Sequence, residues 1–575
     1  MKVTLRSKSV LCAGASALVM SAVAPVATAQ DQDDGQRTLS TVTVTATQRA
    51  ESIQDVPIAV TALDPEVLER AGVADVTSLD SVAPSFNMNS SDTTSGGTTL
   101  RIRGIGTTGN NIGLESSVGV FLDGVYLSRP GVALTDLLDL EQLEVLRGPQ
   151  GTLFGRNTSA GALNIKTKKP NLEEYEGFVN LTLGNFDLAN VQAGINIPIA
   201  RDKVALRISA ANRTQSGFIN GLNGAESHDR DRFSIRGQLL GDFGQLGTVR
   251  AILDHSRVQE NCCHAIWFQD TTAAAVFAVT PGFAPDGGAP FVGPQALEDL
   301  QSNDENFFNP YDQVGFSLEY NVDTPIGALT YIGSSRNYDS DSFRNTDYTQ
   351  TRIFTVGASP EAMALGGANF DDTPRGKIKT ETHELRLQGT AFEDRLDWLV
   401  GVYSSDETID TRGSLTLLDQ YQPAVSAGLL GSPVDLLTAF AGGVDATGDF
   451  ATNAFLQEGE SFSIFTHNIF SVTDRFDVTV GVRYVEEEKD GQFEQIEGEF
   501  DACLGTFGNI ANVPTALSGT AVALNCFVFA APAFDPANPG PLFGAIAQSP
   551  AAALLGLLPQ EFDDTFEDDE VVYTI

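Results

Sequence analysis

Residues 194–209 read GINIPIARDKVALRIS, two runs in which apolar and polar side chains alternate on either side of a short turn. A period of two is that of a β-strand, and it gives each predicted strand an apolar face, made of Ile195, Ile197, Ile199, Val204, Leu206 and Ile208. The opposite face of the second strand carries Arg207. A charged inner face with an apolar outer face is the reverse of a soluble sandwich and is typical of a transmembrane β-barrel.

The same alternation recurs along the chain, between connections that are alternately short and long. The predicted short turns lie at 200–202, 242–247, 321–327, 392–394 and 473–474. The predicted long connections lie at 215–230, 259–312, 339–379, 406–459 and 488–568. Outer-membrane barrels have short periplasmic turns and long extracellular loops. The pattern predicts about twelve antiparallel strands, from one near 177–183 to a last one that begins near Asp569.

The first residues predict an export signal. Basic residues precede an apolar run at 10–26, which ends in Ala27-Thr28-Ala29. A basic start, an apolar stretch and small residues before the cleavage site are typical of a secretory signal peptide, here residues 1–29. A membrane anchor is the alternative, and the acidic segment 31–34 disfavours it. We therefore expect an exported protein.

The composition excludes several functions. The 575 residues include 35 Lys and Arg against 75 Asp and Glu, a formal net charge of −40, which disfavours binding to nucleic acid phosphates. With 42% hydrophobic residues, the chain is too apolar for a disordered polyanion. The motifs H-E-x-x-H and G-x-S-x-G do not occur, and the five histidines are scattered without ligand spacing. The sequence predicts neither an enzyme nor a bound cofactor or metal.

Residues 30–54 and 55–170 differ in pattern. The run Thr41-Val42-Thr43-Val44-Thr45-Ala46 is β-prone and has no local pairing partner, so it suits addition to the sheet edge of another protein. The alternative is a first strand of the following domain. Residues 55–170 predict a compact α+β domain, with helices that begin at Asp64-Pro65 and after Asp75 and strands at 99–103, 118–122, 143–146 and 162–167.

The cysteines after the signal peptide predict two bridges. Cys262 and Cys263 are adjacent, with Cα atoms about 3.8 Å apart, so a bond between them is strained. Export favours oxidation, and we predict a vicinal disulfide there. Capture of a metal or haem beside His264 is the alternative. Cys503 and Cys526 predict a bridge that closes part of the longest loop.

Several short sequence motifs resemble those of the box and plug of TonB-dependent outer-membrane receptors, and they occur in the same order along the chain. They are Ser40-Thr-Val-Thr-Val-Thr-Ala46, Asp55-Val-Pro-Ile-Ala-Val-Thr61, Leu100-Arg-Ile-Arg-Gly-Ile-Gly106, Val120-Phe-Leu-Asp-Gly-Val-Tyr126 and Arg147-Gly-Pro-Gln-Gly-Thr-Leu-Phe-Gly-Arg-Asn157 with Ser159-Ala-Gly-Ala-Leu-Asn-Ile165. The resemblance implies a TonB box within 30–54, a plug over 55–170 and, over 171–575, the first part of a barrel of about 22 strands. Because the chain stops within a predicted strand, we expect a sequence truncated at its C-terminal end.

The resemblance also implies active import by a monomer in the outer membrane of a Gram-negative bacterium. A scarce ligand, first of all an iron–siderophore complex, binds from outside, and TonB of the inner membrane binds residues 41–46. The implied partners are TonB, outer-membrane lipid and the small-molecule ligand. Alternative ligands are a glycan, cobalamin or another organic compound. A passive porin or an adhesin is the alternative class.

Further residues follow from the resemblance. It assigns structural or plug–barrel roles to Arg101, Arg103, Gly104, Asp123, Gly124, Glu141, Glu144, Arg147, Gly148, Gly151, Gly155, Arg156, Asn157 and Gly161. We expect charge pairs between plug and barrel wall from Arg103, Arg147 and Arg156, beside Glu141 and Glu144, with ordinary solvated charges as the alternative. Ligand contacts are expected in loops 90–97 and 106–113. The Asp-rich segments 339–341 and 563–569 are expected in loops that bind Ca²⁺ or, as we favour, keep the surface solvated.

Overall fold

The structure is a computed structural model that describes residues 43–574 with internal gaps. Apart from single residues and pairs, the gaps are 91–97, 108–112, 132–136, 222–225, 262–265, 267–293, 303–306, 346–353, 357–374, 418–420, 429–433, 498–500, 522–524 and 526–560. The predicted signal peptide and both predicted disulfides therefore lie outside the described residues, which exclude the side chain of Cys503. Within the described part, no helix is both long and apolar enough to cross a membrane.

The N-terminal part combines small sheets with short helices. Its described strands are β1 (Thr43–Val44), β2 (Glu51–Ser52), β3 (Ala59–Leu63), β4 (Phe86–Ser90), β5 (Thr98–Ile102), β6 (Val118–Leu122), β7 (Val125–Leu127), β8 (Leu140–Arg147) and β9 (Gly161–Thr167). β3, β8, β9, β6 and β7 form one sheet in that order, while β1 pairs with β2 and β4 with β5. The helical elements are α1 (Pro65–Arg70), a 3₁₀ turn (Val76–Ser81) and α2 (Gly151–Phe154). The predicted α+β character is confirmed.

Two aspartates begin the helical elements. The Asp64 carboxylate accepts a hydrogen bond from Val67 N at 2.9 Å, and Pro65 occupies the first turn, where its missing N–H is not needed. The Asp75 carboxylate accepts from Thr77 N at 3.1 Å. Both helix starts are the predicted ones. The apolar core between these helices and the sheets includes Leu68, Leu79, Phe86, Leu100, Ile102, Val120, Leu143 and Leu163.

The rest of the chain is dominated by one large sheet. The described strands are β10 (Glu176–Gly184), β11 (Leu188–Ala200), β12 (Val204–Gln215), β13 (Ile219–Gly221), β14 (Glu226–Ser227), β15 (Arg230–Asp242), β16 (Thr248–Val258), β17 (Gln301–Ser302), β18 (Phe307–Phe308), β19 (Tyr311–Thr324), β20 (Gly327–Asp341), β21 (Phe343–Asn345), β22 (Phe354–Val356), β23 (Arg375–Ala391), β24 (Leu396–Leu417), β25 (Gly448–Thr473), β26 (Phe476–Glu497) and β27 (Glu561–Thr574). Twelve of them form one antiparallel path, here called the wall: β10, β11, β12, β15, β16, β19, β20, β23, β24, β25, β26 and β27. The predicted number of strands is confirmed.

Side chains of the wall alternate between two faces. Arg207 and Ser209 on β12 are 3% and 1% exposed, whereas Ile208 between them is 37% exposed. Ile195 and Ile464 are likewise outward, at 49% and 47% exposed. The polar face contacts the N-terminal part of the structure, β1 to β9 with their helices, which is called the plug from here on. The apolar face points away from it. This is the orientation that the period-two pattern predicts for a barrel strand.

The strands extend further toward the long connections than predicted. β24 continues to Leu417 and β25 begins at Gly448, so the prediction of a connection over 406–459 is wrong at both ends. β26 continues to Glu497, and β27 begins at Glu561 rather than near Asp569.

The cause of this error is polarity on both faces of the outer strand ends. Four acidic residues lie opposite one another across neighbouring strands, namely Asp406, Glu460, Glu488 and Glu567. The sequence has no period-two signal where both faces are polar. The Asp-rich segments 339–341 and 563–569 are consequently strand rather than the loops expected.

The long connections contain short helices. These are α3 (Pro294–Glu298), α4 (Tyr421–Gly428), α5 (Leu436–Phe440) and α6 (Asp501–Asn509). α4, α5 and α6 come from two different connections and are joined through the buried Asn525. Its side-chain amide donates to Leu437 O at 2.9 Å and to Thr506 Oγ1 at 3.0 Å. These two connections therefore form one small helical cluster.

The outward face of the wall gives a first prediction. An arginine on the lipid face of a barrel costs up to about 2–4 kcal/mol at the bilayer midplane. Ile464→Arg is expected to destabilise the protein folded in lipid vesicles. Its free energy of unfolding, measured by urea titration, should fall by an amount that approaches this cost. Glu458→Arg is the matched control on the same face of β25, beyond the apolar belt, and a smaller loss is expected. Equal losses would contradict the assignment of the lipid-facing belt.

Candidate functional site

Asp123 is the centre of one group of plug–wall contacts. It lies in the turn between β6 and β7 with a φ of +50°, a conformation that Asp tolerates, and Gly124 follows at +84°. Its carboxylate accepts hydrogen bonds from Thr167 N and Oγ1 at 3.0 and 2.7 Å. The guanidinium groups of Arg236 and Arg250, on β15 and β16, each lie 3.3 Å from it. The turn is thus fixed to two wall strands.

Two further plug carboxylates also meet wall arginines. Asp75 Oδ2 lies 2.9 Å from Arg213 and 3.2 Å from Arg232, on β12 and β15. Asp139 accepts two hydrogen bonds from Arg207, at 2.6 and 2.7 Å, in the bidentate geometry that is strongest for arginine and carboxylate. On β12, β15 and β16 the wall therefore supplies the cation and the plug the anion.

Further along the wall the charges are reversed. Arg129 of the plug lies 2.8 Å from Glu407 on β24, and Arg156 lies 2.5 Å from Glu487 on β26. Glu115 of the plug is 3.4 Å from Arg156 and 3.8 Å from Arg129. Burial raises the pKa of Glu115, but Arg156 and its neighbours outweigh burial and hold the pKa of that carboxyl below its usual range.

Two of the aspartates that contact the wall, Asp75 and Asp123, are held ionised. Burial alone raises the pKa of Asp75 and Asp123, because it penalises the charged form. Arg232 beside Asp75, and Arg250 and Arg236 beside Asp123, outweigh burial and keep the pKa of both carboxyls below their usual range. Breaking one partner of such a buried pair leaves an uncompensated charge. These contacts therefore oppose separation of the plug from the wall.

The predicted box is docked on the plug. Thr43 and Val44 pair with β2, Gln142 Nε2 donates to Thr43 O at 2.9 Å, and Thr45 N donates to Glu144 Oε1 at 2.8 Å. Val44 is fully buried in a cluster with Val56, Phe121, Tyr126, Leu146, Leu153, Phe154 and Ala162. The expectation that this run has no local partner is wrong, because residues 51–52 return to pair with it. Thr41, Val42 and Ala46 lie outside the described residues.

The docked segment contacts both plug and wall. Glu144 is fully buried, and besides the box it accepts from Asn164 at 2.9 Å and from Lys166 at 3.2 Å. Gln48 Oε1 accepts from Arg386 Nη1 at 2.7 Å. Arg386 is on β23, close to its short turn to β24. The box therefore lies at the end of the wall that carries the short turns.

The structure corrects most of the expected plug–wall charge pairs. Arg156 forms one, but Arg103 and Glu141 are exposed and make no ion pair with a described residue. Arg147 donates to the carbonyl oxygens of β3 at 3.3 and 3.4 Å. Glu144 points toward the box rather than the wall. Alternation along β8 explains this, because its residues divide between faces of the plug sheet instead of pointing at the wall.

The other predicted residues are found in turns and close approaches. Arg101 is half-buried on β5, Asn157 Nδ2 donates to Tyr126 OH at 2.7 Å, and the residues with positive φ include Gly104, Gly148, Gly155 and Gly161. At Gly161, φ is +149° and an added Cβ would lie 2.2 Å from Leu146 O. At Gly155, an added Cβ would lie 2.8 Å from the guanidinium carbon of Arg483. At Gly151, it would lie 3.2 Å from Val572 of β27.

Sequence reasoning missed most of the interface. Glu115, Arg129 and Asp139 were not predicted to act there, and Asp75 was predicted only as a helix cap. The available signal was the set of arginines on the polar face of the strands, such as Arg207. Their partners are far away in sequence, so only the fold brings them together.

The plug–wall contacts do not bear on the expected ligand-binding loops or on metal binding. The loops expected to contact ligand fall largely on 91–97 and 108–112, outside the described residues. Among the described side chains, no group of three or more His, Cys, Asp or Glu is arranged to hold a metal ion.

Fold and site together define a class: an antiparallel membrane-type wall that contacts a plug through buried ion pairs, with a short strand docked at the end of the short turns. Comparison with known proteins supports this class. Residues 52–162 match the family model described as TonB-dependent Receptor Plug Domain. The catecholate siderophore receptor Fiu of Escherichia coli K12 is 23% identical over 451 residues, which cover 72% of this chain and 51% of that protein.

Two other relatives give the same indication. The pesticin receptor of Yersinia pestis is 28% identical over 221 residues, 38% of this chain and 31% of that protein. The crystal structure of the ferric yersiniabactin uptake receptor FyuA from Yersinia pestis has a TM-score of 0.60 at 14% identity, over 90% of this chain and 61% of that one. The chain spans about half the length of Fiu and less of the pesticin receptor. It resembles TonB-dependent siderophore receptors, and the structural likeness shows their fold.

The Asp123 contacts give a second prediction. Asp123→Asn removes the charge between Arg236 and Arg250 and is expected to lower the free energy of plug opening by about 3–5 kcal/mol. The measurement is native-state hydrogen exchange of plug peptides in the membrane-inserted protein. Glu141→Gln is the control, since Glu141 is exposed, and exchange should not change. Equal exchange in the two variants would show that the buried pairs do not hold the plug.

The lowered pKa values give a third prediction. Unfolded Asp and Glu titrate at about 3.9 and 4.3, and the pKa values of Asp75, Asp123 and Glu115 in the fold are lower. Their contribution is complete above the unfolded pKa and is lost as pH falls through the folded pKa. Exchange protection of the plug, corrected for intrinsic rates, should therefore stay constant from neutral pH to about pH 5 and fall below about pH 4. The pH dependence should be shallower in Asp123→Asn, and an unchanged dependence would contradict the assignment.

Proposed function

We propose that the protein is a TonB-dependent outer-membrane receptor that imports a scarce ligand with energy from the inner membrane. In this proposal residues 1–29 are a signal peptide, 30–54 hold the TonB box, 55–170 form the plug and 171–575 belong to the barrel. The protein acts as a monomer, surrounded by lipid at the apolar face of the wall.

The docked strand is the observation that carries the proposal. β1 is only two residues long, and its contacts are backbone pairing with β2, one buried side chain and hydrogen bonds to two residues of β8. Backbone pairing tolerates many sequences, so a strand of this kind can leave one partner and add to the sheet edge of another protein. TonB is the partner proposed for residues 41–46.

The ligand proposed first is an iron–siderophore complex. The relatives support this choice, since Fiu is a catecholate siderophore receptor and FyuA is a ferric yersiniabactin uptake receptor. A glycan, cobalamin or another organic compound is the alternative ligand for the same transporter. A passive porin or adhesin is less well supported, because neither requires a plug with buried ion pairs or a docked N-terminal strand.

A proline in the box tests energised import. Val44→Pro removes a backbone donor that strand pairing needs, so ligand uptake is expected to fall to the level seen when the proton gradient is collapsed. Val44→Ala is the matched control: it also removes side-chain packing but keeps the donor, and it is expected to transport. Uptake is measured in the source cell, first under iron limitation with a panel of ferric siderophores. It is then measured with a panel of carbon sources.

Outer-membrane levels of both variants must equal that of the natural protein for this comparison. If Val44→Pro transports at the natural rate, the box assignment fails. If uptake persists without the proton gradient, the passive porin explains the protein better. A named ligand whose uptake requires both the gene and the gradient identifies the substrate.

A further inference from the structure

The plug is held in different ways on two sides of the wall. On β12, β15 and β16, the plug carboxylates Asp75, Asp123 and Asp139 have wall arginines as their ion-pair partners. Separation there would leave plug carboxylates without a cation. That is the costly outcome for a buried charge.

The contact of α2 with β25, β26 and β27 is different. Gly151 approaches Val572, Gly155 lies against Arg483, and the Thr152 and Thr574 hydroxyl oxygens are 3.4 Å apart. On the plug side these contacts are made by small residues, with one weak hydrogen bond, so separating them breaks no ion pair.

Two ion pairs join plug and wall on this side, Arg156 with Glu487 and Glu115 with Lys489 at 3.5 Å, and each partner has a substitute. Arg156 lies 2.5 Å from Glu487 but also 3.4 Å from Glu115 of the plug itself. Glu487 also lies 2.9 Å from Lys489 on its own strand. If α2 left the wall, Arg156 would keep Glu115 and Glu487 would keep Lys489. The cost of opening is therefore lower here than at Asp123.

The box is packed on the same part of the plug. Val44 and Val56 share a buried cluster with Leu153 and Phe154 of α2. The larger core cluster, which contains Leu79 and Leu163, includes no residue of the box. Withdrawal of residues 43–56 would thus remove the packing behind α2 while the larger core stays intact. A pull on the box acts first on the side with the weaker wall contacts.

The wall behind α2 carries an arginine with unusual surroundings. Arg483 is 4% exposed, and its Nε has no hydrogen-bond partner. Its guanidinium carbon lies 4.7 Å from the ring centre of Phe465 and 5.7 Å from that of Tyr403, and Nη2 donates to Ser463 Oγ at 2.6 Å. The other buried arginines of the described wall form ion pairs; they are Arg207, Arg232, Arg250 and Arg336.

We infer that ligand passes between α2 and the wall, over a strip formed by Tyr403, Phe465 and Arg483, while the plug stays attached to β12, β15, β16 and β23. The inference rests on the proposed function. Before opening, Gly155 lies against the Arg483 guanidinium. After opening, Arg483, which has no carboxylate oxygen within 4.0 Å among the described residues and is held against aromatic rings, offers a site for a negatively charged ligand.

Two engineered disulfides test which side opens. Thr152→Cys with Thr574→Cys joins α2 to β27, and Ser128→Cys with Thr380→Cys joins the plug to β23, where the hydroxyl oxygens are 3.3 Å apart. The two pairs are matched in the distance between their hydroxyl oxygens. In the receptor expressed from its own gene, oxidation of the first pair is expected to stop uptake and reduction to restore it. The second pair is expected to transport in both states, and mass spectrometry verifies both bonds.

Three results would overturn the inference. They are uptake with the α2 bond intact, loss of uptake with the β23 bond, and failure of the Thr152→Cys pair to cross-link in ligand-free protein. Reduced variants report separately on the proposed function. If the reduced proteins do not import ligand by the proton gradient, the proposed function itself fails. If they do, and the bonds give the opposite pattern, only the route is wrong.

A substitution of Arg483 provides an independent test of the strip. Arg483→Gln is expected to slow uptake of an anionic ferric siderophore without changing its affinity for the closed receptor, because Gly155 lies against Arg483 until α2 moves. Arg483→Lys keeps the charge and should restore part of the rate. Arg475→Gln, at an exposed turn of the wall, is the control. A natural uptake rate in Arg483→Gln, or an equal loss in affinity, would contradict the assignment.

Discussion

Buried pairs between carboxylates and arginines connect the plug to the wall, and the arrangement of the molecule depends on them. Asp123, placed in a tight turn, meets two arginines from neighbouring strands. Each pair is expensive to break, because the remaining charge stays buried. A wall that is apolar outside and polar inside can hold a polar plug in this way, whereas an apolar interface would have made the plug part of a common core.

The charges also give the interface a direction. In its shortest contacts with the plug, the wall supplies cations on β12, β15 and β16 and anions on β24 and β26. The plug can satisfy both sides in only one orientation about the axis of the wall. The same distribution distinguishes two sides of the plug. On β12, β15 and β16 the ion-pair partners of the plug carboxylates are all on the wall, whereas beside α2 each charged group has a second partner that it would keep if plug and wall separated. The residues that hold the plug in place are then different from those that allow it to move.

The sequence predicts the strands wherever one face is apolar and fails where both faces are polar. Period-two alternation at 194–209 locates β11, β12 and the turn between them. The outer ends of β24 to β27 carry carboxylates on the outward face, and their strand character comes only from pairing with neighbours. The helix caps at Asp64 and Asp75 were predictable because capping is local in sequence.

The functional residues are harder to predict for the same reason. Arg207 is recognisable as a charge on the polar face of a strand, but its partner Asp139 is 68 positions away. Conversely, Arg103 lies in a matching motif and Glu141 has the right chemistry, and both still lie exposed. The docking of the box depends on the return of residues 51–52, which carry no strand signal of their own. Motifs identify the domain, and three-dimensional packing selects the residues that act in it.

The salt dependence of plug protection tests the central claim most directly. Buried ion pairs are screened far less than exposed ones. Hydrogen exchange of peptides 118–127 and 161–167, measured in the membrane-inserted protein at neutral pH in low and in high salt, should be as slow as that of the wall strands in both. Fast exchange, or protection that disappears in high salt, would contradict an account in which buried charge pairs hold the plug.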